Sequence, residues 1–75
     1  MENELIQILQ TEVLSTNQTI TRDSQLFEAG LDSMAIMQLL LHIEDHFHVI
    51  LEPVDLSREN FQTVPKIVEL INSKR

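Results

Sequence analysis

Residues 26–34 read Leu26-Phe27-Glu28-Ala29-Gly30-Leu31-Asp32-Ser33-Met34, and this stretch decides how the rest of the chain is organised. It holds the only glycine of the 75 residues, at the place where a loop turns into a helix. There a backbone conformation that other residues avoid is of use. Asp32 and Ser33 are both good N-cap types, able to satisfy the free N–H groups of a first helical turn. The four apolar residues Leu26, Phe27, Ala29 and Leu31 pin the preceding loop to a core.

Downstream, the pattern has a helical period over Ser33 to Phe47. Ile36, Leu39, Leu40, Ile43 and Phe47 make one stripe, the core face. Met34, Met37 and Leu41 make a second stripe, rotated away from the first and flanked by Gln38, Glu44 and Asp45. A helix apolar on two sides is either buried on both or offers one side to a partner, and a 75-residue domain has little room for full burial. Val49, Ile50 and Leu51 follow as an extended connection ending at Pro53. A short helix starts at Asp55 or Ser57 and runs through Phe61. The last helix spans Val64 to Asn72, with Thr63 as its cap, Pro65 in its first turn, and Val64, Ile67, Val68 and Ile71 on its core face. Lys74 and Arg75 suit its negative end.

Upstream, Leu5, Ile6, Leu9, Val13 and Leu14 recur at helical spacing, predicting a first helix from Asn3 to Leu14 with Asn3 as cap and Glu4 near the positive end of its dipole. Residues 15–25 are polar apart from Ile20, so the connection to the second helix is long for a small domain. The expectation is an all-α fold over residues 1–75 as one domain: a small antiparallel four-helix bundle of three main helices and one short helix, with a long loop between helices one and two.

Composition narrows the function. The net charge is -7, which disfavours nucleic acid because phosphate binding rests on Lys and Arg. No Lys or Arg lies between Arg22 and Arg58, while Asp23, Glu28, Asp32, Glu44, Asp45, Glu52 and Asp55 do. A field of one sign favours partners with basic patches, or serves only solubility. There is no cysteine, hence no disulfide and no thiol ligand. Met1-Glu2-Asn3-Glu4 does not open a signal peptide, and no run approaches the length of a membrane span, so the cytosol is the expected location.

Three roles are open to Ser33: helix cap, nucleophile or modification site. A nucleophilic serine needs a base and an orienting group, and the Gly-x-Ser-x-Gly elbow is absent, since Met34 and Ala35 follow. No enzyme is expected. A modification is physically reasonable because a helix N-terminus stabilises a phosphodiester. His42 and His46 share a helix face at the spacing of zinc sites, but Glu44 is not the residue directly after His42, as the zinc-peptidase motif demands. A solvated face is the expectation, with no metal. The acids near the loop do not form an EF-hand.

The stretch 26–34 also resembles the phosphopantetheine attachment motif of acyl carrier proteins, in which Gly, Leu, Asp and the modified Ser precede Leu or Met. Leu39-Leu40, Ile43-Glu44, Phe47 and Val49 continue the resemblance, as do Asp55 to Phe61 and Thr63-Val64 through Ile67 and Ile71. It covers nearly the whole chain in the same order and spacing. The resemblance implies a carrier with a covalent 4′-phosphopantetheine arm on Ser33, moved there from coenzyme A by a phosphopantetheinyl transferase. The arm's thiol would hold a substrate as a thioester. It implies that Asp32 serves transferase recognition. It implies too that Met34, Met37, Gln38, Leu41, Glu44 and Asp45 meet partners, with methionine suited to a surface that fits several enzymes in turn. Those partners would be an acyl- or aminoacyl-loading ligase and an acyltransferase or condensing enzyme, and the carrier itself a monomer.

Ala35 and Gln38 take positions read as exposed, where fatty-acid carriers often have acids, and Val49 to Pro53 replaces their acidic run. Asp55 to Thr63 is more similar to discrete carriers of secondary metabolism or of aminoacyl and D-alanyl transfer. The expected function is a free-standing acyl or aminoacyl carrier of a dedicated biosynthetic pathway (polyketide, nonribosomal peptide or aminoacyl transfer). The alternatives are a housekeeping fatty-acid carrier and a cofactor-free helical docking module.

Overall fold

The computed structural model describes residues 1–75. It is all-helical, with no strand. Helix α1 spans Glu2–Ile8 and runs directly into a π-helical turn, Leu9–Val13; α2 spans Ser33–Phe47 and α3 spans Val64–Ser73. Two single 3-10 turns, Pro53–Asp55 and Glu59–Phe61, lie between α2 and α3. No helix is long and apolar enough to cross a membrane.

The core gathers side chains from all three helices, the π turn, the second 3-10 turn and the loops. Leu5, Leu9, Leu26, Leu39, Ile43, Phe61, Val64, Ile67 and Ile71 are fully buried, with Ile8, Ile20, Leu31 and Val49 nearly so. Helix α1 packs on α3, and α2 on the π turn. Burying each such side chain contributes about 1.5–3 kcal/mol, which a chain without disulfides needs.

Several local expectations give way to specific contacts. Asn3 does not cap α1: the N-cap is Met1, whose ammonium lies 3.8 Å from Glu4, and Asn3 sits inside the helix. The helix widens at its end, where the Leu14 N–H donates to the Leu9 carbonyl five residues back. Ile8 joins the core from the regular helix before that turn, and Ile6 is only half-buried. Thr63 holds the N-cap position of α3 with extended backbone, but its side chain makes no cap bond.

The short helix expected over residues 55–61 is two 3-10 turns instead. The Asn60 side-chain amide donates to the Asp55 carbonyl at 3.0 Å, the acceptor that a continuing helix would give to the N–H of Glu59. Leu56 then departs from helical geometry, at ψ 43°.

Asp55 is also not part of the exposed acidic field. It is 8% exposed; its Oδ2 accepts from the Glu52 N–H at 2.9 Å and from Lys74 Nζ at 3.1 Å. The Glu52 N–H, more than burial opposes it, holds this carboxyl below the ordinary aspartate value, with Lys74 adding to the effect. Lys74 thus ties the end of α3 to the first 3-10 turn as well as facing the helix C-terminus.

The long connection is held from α1's extension. Gln10 Nε2 donates to the Thr16 carbonyl at 2.6 Å and the Gln18 carbonyl at 2.7 Å, while its Oε1 accepts from the Ile20 N–H at 2.7 Å. One side chain therefore replaces backbone partners for three loop residues and delivers Ile20 to the core. Arg22 adds an exposed ion pair with Glu2 at 3.2 Å, worth little by itself.

Candidate functional site

Residues 25–31 coil into a tight, hydrogen-bonded turn. Ala29 N–H donates to Gln25 O and Leu31 N–H to Leu26 O, while Leu26 N–H reaches across to Gln62 O at 2.9 Å. With Leu26 and Leu31 buried, the turn is fixed to both the core and the chain before α3. Gly30 has φ +114°, a region that side chains rarely adopt. A Cβ there would meet only Leu14 Cδ2, at 3.9 Å. Backbone conformation, not lack of space, is what calls for glycine.

The turn delivers Asp32 in extended geometry, and its Oδ1 accepts from the Ala35 N–H at 2.9 Å. Asp32 is therefore the cap of α2. Ser33, the other candidate, is the first helical residue; it is exposed, and its hydroxyl has no hydrogen-bond partner in the protein. The N–H groups of Ser33 and Met34 are unclaimed too. A hydroxyl freed of structural duty, beside two open donors at the positive end of a 15-residue helix, fits a phosphodiester-linked group.

The expected partner residues line adjoining grooves along α2. Met34, Met37, Gln38, Leu41 and Glu44 line one open groove of about 360 Å³, with Leu40, Ile50 and Leu51. Asp45 is not in it; it lines two neighbouring grooves, one between α1 and α2 with Glu4, Gln7, His42 and His46, and one with Leu41, Glu44, His48 and Ile50. Met34 is 73% exposed, Met37 59% and Leu41 68%, so α2 does present an apolar stripe to solvent. Ala35 does not belong on the exposed side. It is buried, and faces Val13, Leu14, Ala29 and Gly30 beside the first turn of α2. His42 and His46 stack at 6.0 Å, and His48 sits beyond them at the helix C-cap in left-handed geometry, φ 58°.

Sequence reasoning missed two contributions. Ile50 and Val54 are exposed and extend the apolar surface past the end of α2. Ile50 has the signal of an alternating extended run, in which neighbours face opposite ways. Arg58 lies over the Phe27 ring, 4.3 Å from its centroid. Together with Leu31, Asp32, Ser33, Ile36 and Leu56 they line a groove of about 390 Å³ at the serine itself. The bare spacing of Arg58 after an acid-only stretch gave no hint of that placement.

Comparison with known proteins places the chain in a family. A family model described as phosphopantetheine attachment site matches residues 3–71. The chain is 30% identical over 76 residues to the D-alanyl carrier protein of Streptococcus mutans, covering 100% of this chain and 95% of that protein. It is 31% identical over 64 residues to aminoacyl carrier protein 2 of Bradyrhizobium diazoefficiens, covering 85% and 70%. A chain in the crystal structure of Bradyrhizobium japonicum glycine:[carrier protein] ligase complexed with glycylated carrier protein superposes with a TM-score of 0.73 at 26% identity, covering 93% of this chain and 97% of that one.

Proposed function

Because the chain belongs to the phosphopantetheine attachment family of carrier proteins, we propose that Ser33 is its attachment residue and that its load is a small aminoacyl group. The observation that carries this is the division of labour at the start of α2. Asp32 takes the cap, leaving the Ser33 hydroxyl exposed and unpartnered. The arm, when attached, supplies a flexible reach and a terminal thiol that holds the load as a thioester.

The protein's own residues hold the hydroxyl at a fixed place, set the local charge through Asp32, and present the apolar stripe Met34, Met37 and Leu41. Glu44 and Asp45 rim that stripe for basic residues of a loading ligase and of a phosphopantetheinyl transferase. The chain catalyses nothing itself and works in the cytosol as a monomer. The two 3-10 turns of residues 53–61 stand where the fourth, short helix of a carrier bundle would lie.

The aminoacyl reading is supported by the relatives and by the core. None of the fully buried side chains lines any of the five main grooves. A long alkyl load gains about 0.8 kcal/mol for each CH₂ removed from water, and needs an interior to enter. An aminoacyl group has a charged ammonium and no such need.

Intact mass tests the assignment. Protein that starts unmodified is incubated with coenzyme A and a promiscuous transferase, beside Ser33→Ala. A gain of one phosphopantetheine that the variant lacks is expected. No gain on folded protein would leave Ser33 a bystander and favour a cofactor-free docking module. Charging the modified protein with adenylating ligases for glycine, D-alanine and fatty acids then reads the load; exclusive charging with a fatty acid would defeat the aminoacyl reading.

A further inference from the structure

The chain has five cationic residues against 12 acidic ones. Arg22 is paired with Glu2 and Lys74 with Asp55. Arg58 has no acidic partner within ion-pair distance, although Glu59 is its neighbour in sequence. It is laid over Phe27 instead, which holds the guanidinium plane without using its N–H donors. It is also the one cation lining the groove that contains Ser33. The remaining walls are Phe27, Leu31, Ile36 and Leu56, all apolar, and the one other charged side chain there is Asp32. The Asp32 carboxylate already accepts from the Ala35 N–H.

We propose that Arg58, held against Phe27, is this protein's own counter-ion for the phosphodiester on Ser33, and that the groove beside it seats the arm between transfers. The inference rests on the attachment reading above. An arginine fork matches the geometry of phosphate oxygens. The arm continues from its phosphate into a unit with two methyl groups, which suits the apolar walls of Leu31, Ile36 and Leu56. The arm is the occupant because it is tethered at the groove's own edge and carries the negative charge that Arg58 lacks. Seated there, it is kept out of bulk water until a partner draws it away.

The test compares ¹⁵N-labelled full-length protein before and after modification, with intact mass confirming one arm on Ser33. Amide shifts at Phe27, Leu31, Ile36 and Leu56, and a shift of the Arg58 Nε–H, are expected on modification. They should shrink with added salt, since screening acts within about 3 Å at 1 M. In Arg58→Gln these groove shifts are lost, leaving only the immediate neighbours of Ser33, and the ³¹P signal moves to that of the same phosphodiester on urea-unfolded protein. Arg58→Lys keeps them in weakened form. The unmodified Arg58→Gln spectrum should overlay the wild type away from residue 58; if it does not, the salt series on wild type decides. Groove shifts that are absent in wild type, insensitive to salt, or unchanged in folded Arg58→Gln overturn the proposal. Absence of an arm on Ser33 by mass would overturn the attachment reading, whereas a confirmed arm with a silent groove overturns only this inference.

Discussion

Replacing Gln10 by alanine should destabilise the protein by more than its half-buried position suggests. Its amide makes three bonds, at 2.6, 2.7 and 2.7 Å, to the backbone of Thr16, Gln18 and Ile20. A net intramolecular hydrogen bond contributes about 0.5–1.5 kcal/mol. Water can replace the exposed bond to Gln18, but reaches the part-buried partners Thr16 and Ile20 less well. The better helix propensity of alanine returns a few tenths of a kcal/mol. The expected loss is about 1–3 kcal/mol, read as a lower urea midpoint at constant slope, or about 4–8 °C in Tm for each kcal/mol. Gln10→Glu should lose at least as much, because a carboxylate keeps the acceptor for Ile20 but faces two carbonyl oxygens. Amide exchange at Ile20 should quicken in both variants. If Gln10→Ala stays within about 0.5 kcal/mol of wild type and Ile20 remains protected, the loop is held by the burial of Ile20 and Leu26 alone and the clamp is incidental.

Three further outcomes are expected. Gly30→Ala should cost about 1–2 kcal/mol through its φ of +114° and not through a clash, measured by urea unfolding; a neutral result would show that the turn relaxes freely. Asp55→Asn should weaken the protein near neutral pH. Because the folded carboxyl titrates below the ordinary value of 3.8, the aspartate's advantage is full above that value and fades as pH falls through the lowered one. Unfolding of the two proteins across pH 2–7 should converge at the acid end, and a constant gap would refute the Asp55–Lys74 account. Glu44→Lys with Asp45→Lys should slow charging by a loading ligase roughly tenfold through lost steering, with unfolding unchanged within about 0.5 kcal/mol. Unchanged charging rates would remove both residues from the interface.

Helix α2 was the most legible part of the chain, because fifteen residues give a 3.6 period room to show both stripes, and the structure exposes Met34, Met37 and Leu41 as the second stripe requires. The loop's role in presenting Ser33 was legible from Gly30 and its apolar neighbours. What stayed hidden depends on contacts between residues distant in sequence. Ala35 is small and apolar, and its burial is decided by residues that pack over it, not by its own helix. Asp55 looks like any surface acid until Lys74, nineteen places on, closes over it. Gln10 carries no sign of its three loop partners, and the widening over Leu9–Val13 has no signature in the apolar spacing. Arg58 reaches Phe27 across the fold, so neither position in the sequence announces the pair.

The Asp55–Lys74 tie has a consequence for how the molecule breathes. Turns of three residues have too few internal bonds to persist alone, so residues 53–61 lean on the Lys74 tie to α3 besides their own side-chain bonds and the buried Phe61. Fraying of the final turn of α3 would release Lys74, and with it the segment carrying Leu56 and Arg58, which forms one wall of the groove at Ser33. Local opening of this kind takes far less free energy than global unfolding. The last turn of α3 and Ser33, far apart in sequence, therefore belong to one mechanical unit: a partner or neighbouring segment that steadies or loosens the final helical turn would tighten or widen the cleft beside Ser33 without touching it.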